Sequence, residues 1–365
     1  MEGLLCAVMA LMGMGVGYAY YVSLRSRFGG PSVPPPGNPK RRDLDALALL
    51  DGPLRAPFEA LERGDLRPMW SVIAAMREGR WAERAALLDV IAGTLERTIL
   101  DQAIAGWPQD PILVLMRAQQ AMAWAARARG HGGASTVSEE GWLRYEERMA
   151  MAERDLLRAI ELDPSDPTPH GRLIKVASAL HRGEATARRH LDAALARDPA
   201  DYAARDAYFT YFCLRRYNGS YEKMRALAED AARGAPEGDL RHCFLFETHE
   251  EMWSYEHAFG DPRVGDAYAA RPDVQAEVAA IYARSVGSPH HVRTIASLRL
   301  IDRYARWFFA VGDQARCRHA FSLVGEEQWT HSWGMLGPAD KQAPIARAWA
   351  FGQGPHRILG WDKRK

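Results

Sequence analysis

The 365-residue chain carries 47 basic and 46 acidic side chains, for a formal net charge of +1, with 47% hydrophobic and 25% charged residues. That composition buries a substantial core and excludes a disordered protein. The even mixture of charge describes solvated helix faces and speaks against nucleic acid as a partner. Six lysines stand against 41 arginines. With so much alanine beside them, this bias reads as genomic base composition and not as phosphate recognition.

The chain opens on GLLCAVMALMGMGVGYAYYVSL, residues 3–24, which holds no charge. At about 1.5 Å per residue it matches a hydrocarbon core of roughly 30 Å, so it is expected to be a single transmembrane helix. A cleaved signal peptide, and with it an exported repeat protein, is the alternative. Glu2 stands where a signal peptide has basic residues, however, and no small-x-small cleavage site follows. Tyr18, Tyr20 and Tyr21 followed by Arg25 and Arg27 suit a membrane exit. Arg25, Arg27, Lys40, Arg41 and Arg42 all follow the segment. The positive-inside tendency therefore places the body in the cytoplasm, on a bacterial inner membrane. Gly13 and Gly17 have the spacing that lets two such helices approach as a weak homodimer, although glycine facing lipid is the plainer reading. Cys213, Cys243 and Cys317 lie far apart in helix-like patterns and cannot all pair, which suits buried thiols in a reducing compartment.

Residues 25–42 hold five prolines and three glycines and are expected to form a tether. From 43 to 324 apolar residues recur at helical spacing with no alternating β-branched run, so the body is expected to be all-α. The first helices fall within 57–105. Asp110-Pro111 and Asp166-Pro167 each offer a capping acid followed by proline. The pattern predicts helices over 111–128, 143–162, 167–181, 184–197, 201–216 and 220–234. Ala152, Leu156, Ala159 and Pro164 return as Ala187, Leu191, Ala194 and Pro199, each displaced by 35. That period and the A-x3-L-x2-A-x4-P pattern describe a tetratricopeptide-like helix-pair solenoid, in which alanines let helices approach and Arg197 faces outward. Further pairs are expected at 239–258 with 272–286 and at 291–310 with 313–323, the latter turning at Gly312-Asp313. Residues 325–365 cap the array with a helix near 339–350 and end in a solvated tail.

The segments AWAARARG (123–130), AERDLLRAIELDPSDPTP (152–169), YNGSYEKM (217–224), APEG (235–238) and THEEMW (248–253) resemble an uncharacterised bacterial family, a domain of unknown function with tetratricopeptide-like helices. The resemblance covers about 107–261. His170 and Arg216-Tyr217 stand where its members tend to have Trp and Lys-Trp. It implies a helical fold and brings no catalytic residues.

No catalytic motif stands out. His242, His249 and Glu256 recur every seven residues on one helical face. Neighbours in that series would lie about 10 Å apart, too far to share a metal ion without further ligands. HEEMW begins like a zincin helix, but Trp253 replaces the second histidine. A metal-dependent hydrolase built on these three residues is the alternative to a non-enzymatic role, and no cofactor is expected. Aromatic residues cluster at Tyr208, Phe209, Tyr211 and Phe212, and at Tyr304, Trp307, Phe308 and Phe309. Core packing accounts for most of them. Tyr208 and Tyr211, one turn apart, are the residues that would contact a peptide from a concave face. The reading is a protein-interaction scaffold for a protein or peptide partner, held at the membrane through residues 3–24.

Overall fold

Asp110 shows how the helices begin. In the computed structural model, which describes residues 53–130, 134–216, 218–325 and 331–358, its carboxylate accepts from the backbone N–H groups of Ile112 and Leu113 at 2.9 and 3.0 Å. Proline at the next position needs no N–H partner, so the helix starts cleanly. The same turn recurs twice more. The N–H of Asp110 donates to Trp107 O, that of Asp166 to Asp163 O and that of Asp201 to Asp198 O, over 3.0–3.3 Å. Asp166 then accepts from Thr168 N at 2.8 Å and Asp201 from Ala204 N at 3.0 Å. Between Asp166 and Asp201 these turns keep the 35-residue interval of the helices they start, while the Asp110 turn lies outside that period.

The described residues form sixteen α-helices and no strand, and they divide into two compact units. The first holds the described residues up to Tyr211 with Arg216 and Asn218; the second holds Phe212–Arg215 and the described residues from Gly219 onward. The sequence reading drew no division inside 43–324. The expected membrane span and tether, with Gly13 and Gly17, lie outside the described residues. Among those described, no helix is long and apolar enough to cross a membrane.

The first unit runs α1 (Arg55–Glu62), α2 (Arg67–Ala75), α3 (Trp81–Ile91), α4 (Arg97–Gly106), α5 (Pro111–Arg129), α6 (Glu139–Leu162), α7 (Thr168–Ala179), α8 (Glu184–Leu195) and α9 (Tyr202–Tyr211). Successive helices pair: α1 with α2, α5 with α6, α7 with both α6 and α8, and α9 with α7 and α8. The six repeat positions Ala152, Leu156, Ala159, Ala187, Leu191 and Ala194 are all buried, as the register requires. A Cβ at Gly171 would stand 3.4 Å from Ala204 Cα, which marks how closely α7 and α9 approach. Arg197 does not face outward. It is half-buried, with Nε donating to Pro164 O at 2.6 Å and Nη1 to Ala193 O at 2.5 Å, so it ties the ends of the two repeat copies together.

The second unit holds α10 (Tyr221–Ala232), α11 (Cys243–Phe259), α12 (Pro262–Ala269), α13 (Pro272–Arg284), α14 (Ile295–Val311), α15 (Gln314–Val324) and α16 (Ala339–Ala350). The expected pairing of 239–258 with 272–286 is present as the packing of α11 on α13, while α12, which the sequence pattern does not predict, lies between them in the chain and also packs on α11. Its start is another Asp-Pro: Asp261 accepts from Arg263 N at 2.9 Å. At eight residues it is too short for its apolar spacing to stand out. The turn after α14 follows expectation. Gly312 takes the left-handed conformation at φ 81° and Asp313 caps α15 through Arg316 N at 3.0 Å. Aromatic rings fill this core: Phe246 stacks on Tyr304 at 3.8 Å between centroids, Trp253 meets Trp307 edge-on at 5.4 Å, and Phe321 stacks on Trp333 at 5.7 Å. Cys213, Cys243 and Cys317 are buried thiols, and burial pushes the Cys243 thiol up to about 12.

Candidate functional site

The two tyrosines proposed to face a groove do not line one. Tyr208 and Tyr211 are 4% and 5% exposed, and their rings stack at 6.3 Å and 14°. They fill space within the first unit, with Arg188 beside the Tyr208 hydroxyl. Tyr304, Trp307, Phe308 and Phe309 are likewise buried.

His242, His249 and Glu256 each have their own protein partner. His242, in the short 3-10 turn Leu240–His242 before α11, donates from Nε2 to Pro236 O at 3.0 Å. His249 holds Tyr268 Oη at 2.7 Å through Nδ1. Its Nε2 lies 3.1 Å from Glu277 Oε2. Burial holds the His249 imidazole below its usual range despite the Glu277 carboxylate. Glu256 is half-buried and accepts from Asp261 N at 3.2 Å. Among the described residues no three His, Cys, Asp or Glu side chains are grouped to hold a metal ion.

α11 nevertheless carries an unusual load of buried charge. Glu247 and Glu250 both reach Arg303 on α14, over 2.8 and 2.6 Å, and Glu250 also pairs with Arg306. Burial opposes ionisation of Glu250, but the Arg303 and Arg306 guanidiniums outweigh it and hold the carboxyl below its usual range. His257 Nε2 and Trp253 Nε1 converge on Asp266 Oδ1 at 2.7 and 3.2 Å. These groups satisfy one another and hold helices together. The first unit has a counterpart: Arg84 pairs with Asp166 at 2.9 Å, and Arg172 reaches Asp89 at 2.9 Å and Ala85 O at 2.5 Å. Beside Arg172, the gap lined by Trp81, Thr168, Gly171 and Asp201 is about 10 Å³, which admits nothing larger than a water molecule. Both clusters are therefore structural.

An open, chemically distinctive site lies elsewhere, on the α5–α6 hairpin. Trp124, Arg127 and Ala128 of α5 face Ser138, Glu140, Gly141, Arg144 and Arg148 across a cleft of about 340 Å³. The helices come close because Gly141 has no side chain: a Cβ there would stand 3.1 Å from Ala128 O. Arg148 lies over Trp124, with its guanidinium carbon 3.7 Å from the ring centroid, and Nη1 donates to Trp124 O at 2.8 Å. Arg144 pairs with Glu140 at 2.5 Å, with both side chains exposed. Arg127 is exposed, with no hydrogen-bond or ion-pair partner among the described residues. Burial and the neighbouring Arg144 charge hold Arg148 below the usual guanidinium range, with Arg127 adding to the effect. Three cations thus share the cleft with one carboxylate.

No family model, curated protein or solved structure matches the chain. Function has to be read from the site itself. The sequence does not single out the arginines of this cleft, because 41 arginines spread along the chain hide any local cluster. A usable signal was present: Trp124 and Arg127 are three apart on one predicted helix, and Arg144 and Arg148 four apart on the next, so each pair shares a face.

Proposed function

We propose that this chain is a helical-repeat interaction scaffold for a protein partner, carried at the cytoplasmic face of a bacterial inner membrane by its N-terminal apolar segment. The observation that carries the reading is the open arginine-rich cleft on the α5–α6 hairpin. It offers accessible charged side chains on a helical frame, whereas the buried His249, His257 and Glu247 of α11 are engaged with protein partners. Exposed apolar side chains on α6, Leu143 and Leu157, give further purchase for a partner.

Photo-crosslinking in cells tests the scaffold reading. With a photoreactive amino acid at Leu143 or Leu157 of the full chain, a discrete higher-mass adduct is expected, and none when it replaces the buried Leu113. Absence of any discrete adduct from either exposed position would remove the scaffold reading. For the topology, a reporter active only in the cytoplasm is expected to work when fused after Lys365. Activity of an oxidising-compartment reporter there would instead indicate an exported body.

A further inference from the structure

We infer that the cleft between α5 and α6 binds a carboxylate-bearing segment of a protein partner, with Arg127, Arg144 and Arg148 pairing to successive acidic side chains. This rests on the scaffold reading and supplies the chemistry of its partner. Each arginine is available in its own way. Arg127 has no partner among the described residues. Arg148 is held in place by Trp124 and uses one N–H on that residue's carbonyl, while a guanidinium carries five N–H donors. Arg144 is engaged by Glu140, but both side chains are more than half exposed. An exposed pair of this kind contributes little, so an incoming carboxylate exchanges for Glu140 readily.

The spacing suits a row of single charges. Arg144 and Arg148 are four residues apart on α6, which sets them about 6 Å apart along the axis. Alternate side chains of an extended peptide repeat every 6.6 Å or so, so acids at every second position meet both arginines. Each guanidinium takes a carboxylate through two parallel hydrogen bonds. A membrane surface suits the cleft poorly. Exposed Glu139, Glu146 and Glu147 stand on the same helix, and a flat anionic bilayer would meet them together with the arginines, whereas a narrow peptide enters the cleft alone.

Fluorescence anisotropy on the detergent-purified full chain tests this with a labelled eight-residue peptide alternating Glu and Ala. Saturable binding is expected, weakened by added salt and lost when Gln replaces Glu in the peptide. Arg127→Ala and Arg144→Ala, both on exposed side chains, should each weaken it about threefold. Glu140→Gln should tighten it about threefold by removing the internal competitor, an effect of opposite sign that damaged folding does not produce. Failure of the peptide to bind, or equal binding by the parent, Arg127→Ala and Arg144→Ala, overturns the proposal. So does displacement by soluble short-chain phosphatidylserine at a lower concentration than by unlabelled peptide. If the peptide fails while the crosslinked adduct at Leu143 persists, the scaffold stands and the cleft is not its binding site.

Discussion

The two units solve the same problem, burying helices against one another, with different side chains at their main helix seams, although each also buries arginine–carboxylate pairs. In the first, α6 to α9 meet through Ala152, Ala159, Ala187, Ala194 and Ala204, all buried, with Leu156 and Leu191 between them. In the second, α11 and α14 are joined by Phe246, Trp253, Tyr304 and Trp307 and by the pairs of Glu247 and Glu250 with Arg303 and Arg306. Small side chains bring helix axes close and repeat the same contact every 35 residues. Large rings and charge pairs fill a space whose shape differs at each level, so no period is imposed on the sequence.

The sharpest way to break this contrast is Ala194→Arg. Introducing a long cation into a seam built for a methyl group combines overpacking with charge burial, and a loss of about 5 kcal/mol is expected in thermal melts of the full chain. A melt identical to the parent would mean that the 35-residue register does not define the seam. Glu250→Ala is the matching probe of the second unit. It leaves Arg303 and Arg306 buried without that carboxylate and should cost about 4 kcal/mol. Hydrogen exchange should place the loosening of Ala194→Arg in α6 to α9 and that of Glu250→Ala in α11 and α14. Exchange patterns that do not differ would erase the distinction between the units.

A smaller effect, of the opposite sign, is expected at Asp201. Burial pushes its carboxyl up to about 6, above the ordinary value of 3.8. The folded state therefore holds its proton more tightly than the unfolded chain, and this group's contribution to stability falls as pH rises through that interval. Asp201→Asn keeps the cap on Ala204 N and removes the buried charge, so stability at pH near 7.5 should rise by about 2 kcal/mol. His170 acts in the other direction. Burial lowers its imidazole to about 4 from 6.5, so its stabilisation is complete above 6.5 and is lost as pH falls toward 4. With Asp201 replaced, the His170 term stands uncompensated and the variant should lose stability more steeply on acidification than the parent. A Tm–pH curve parallel to the parent's would contradict this. The smallest effect belongs to Arg154→Ala, an exposed residue of α6, expected within about 0.5 kcal/mol of the parent. Arg197 would not serve as such a control, since it bonds the carbonyls of Pro164 and Ala193.

Helix positions were legible because their signals are local. The predicted helix at 111–128 is Pro111–Arg129, and those at 184–197 and 313–323 are Glu184–Leu195 and Gln314–Val324. Asp110, Gly312 and Asp313 act within four residues of themselves, so composition and spacing suffice to read them. The 201–216 prediction overran, because the helix stops at Tyr211 where the chain passes from the first unit to the second. Two missed features were also in the sequence: Asp261-Pro262 starts α12 just as Asp110-Pro111 starts α5, and the arginine pairs of α5 and α6 have helical spacing.

The sequence by itself determined that this chain is helical, where most helices begin and end, and which alanines and leucines of the repeat are buried, since each follows from neighbours within a turn or from a repeated interval. Only the tertiary structure decided which polar residues are structural and which are free. Arg84 meets Asp166 and Arg303 meets Glu250 across separations of 82 and 53 residues, and no local pattern encodes such pairings. The cleft has the same origin. Arg127 and Arg148 share it only because Gly141 lets α6 lie close against α5, and whether an arginine ends beside a carboxylate or over a tryptophan depends on the helix packed opposite it.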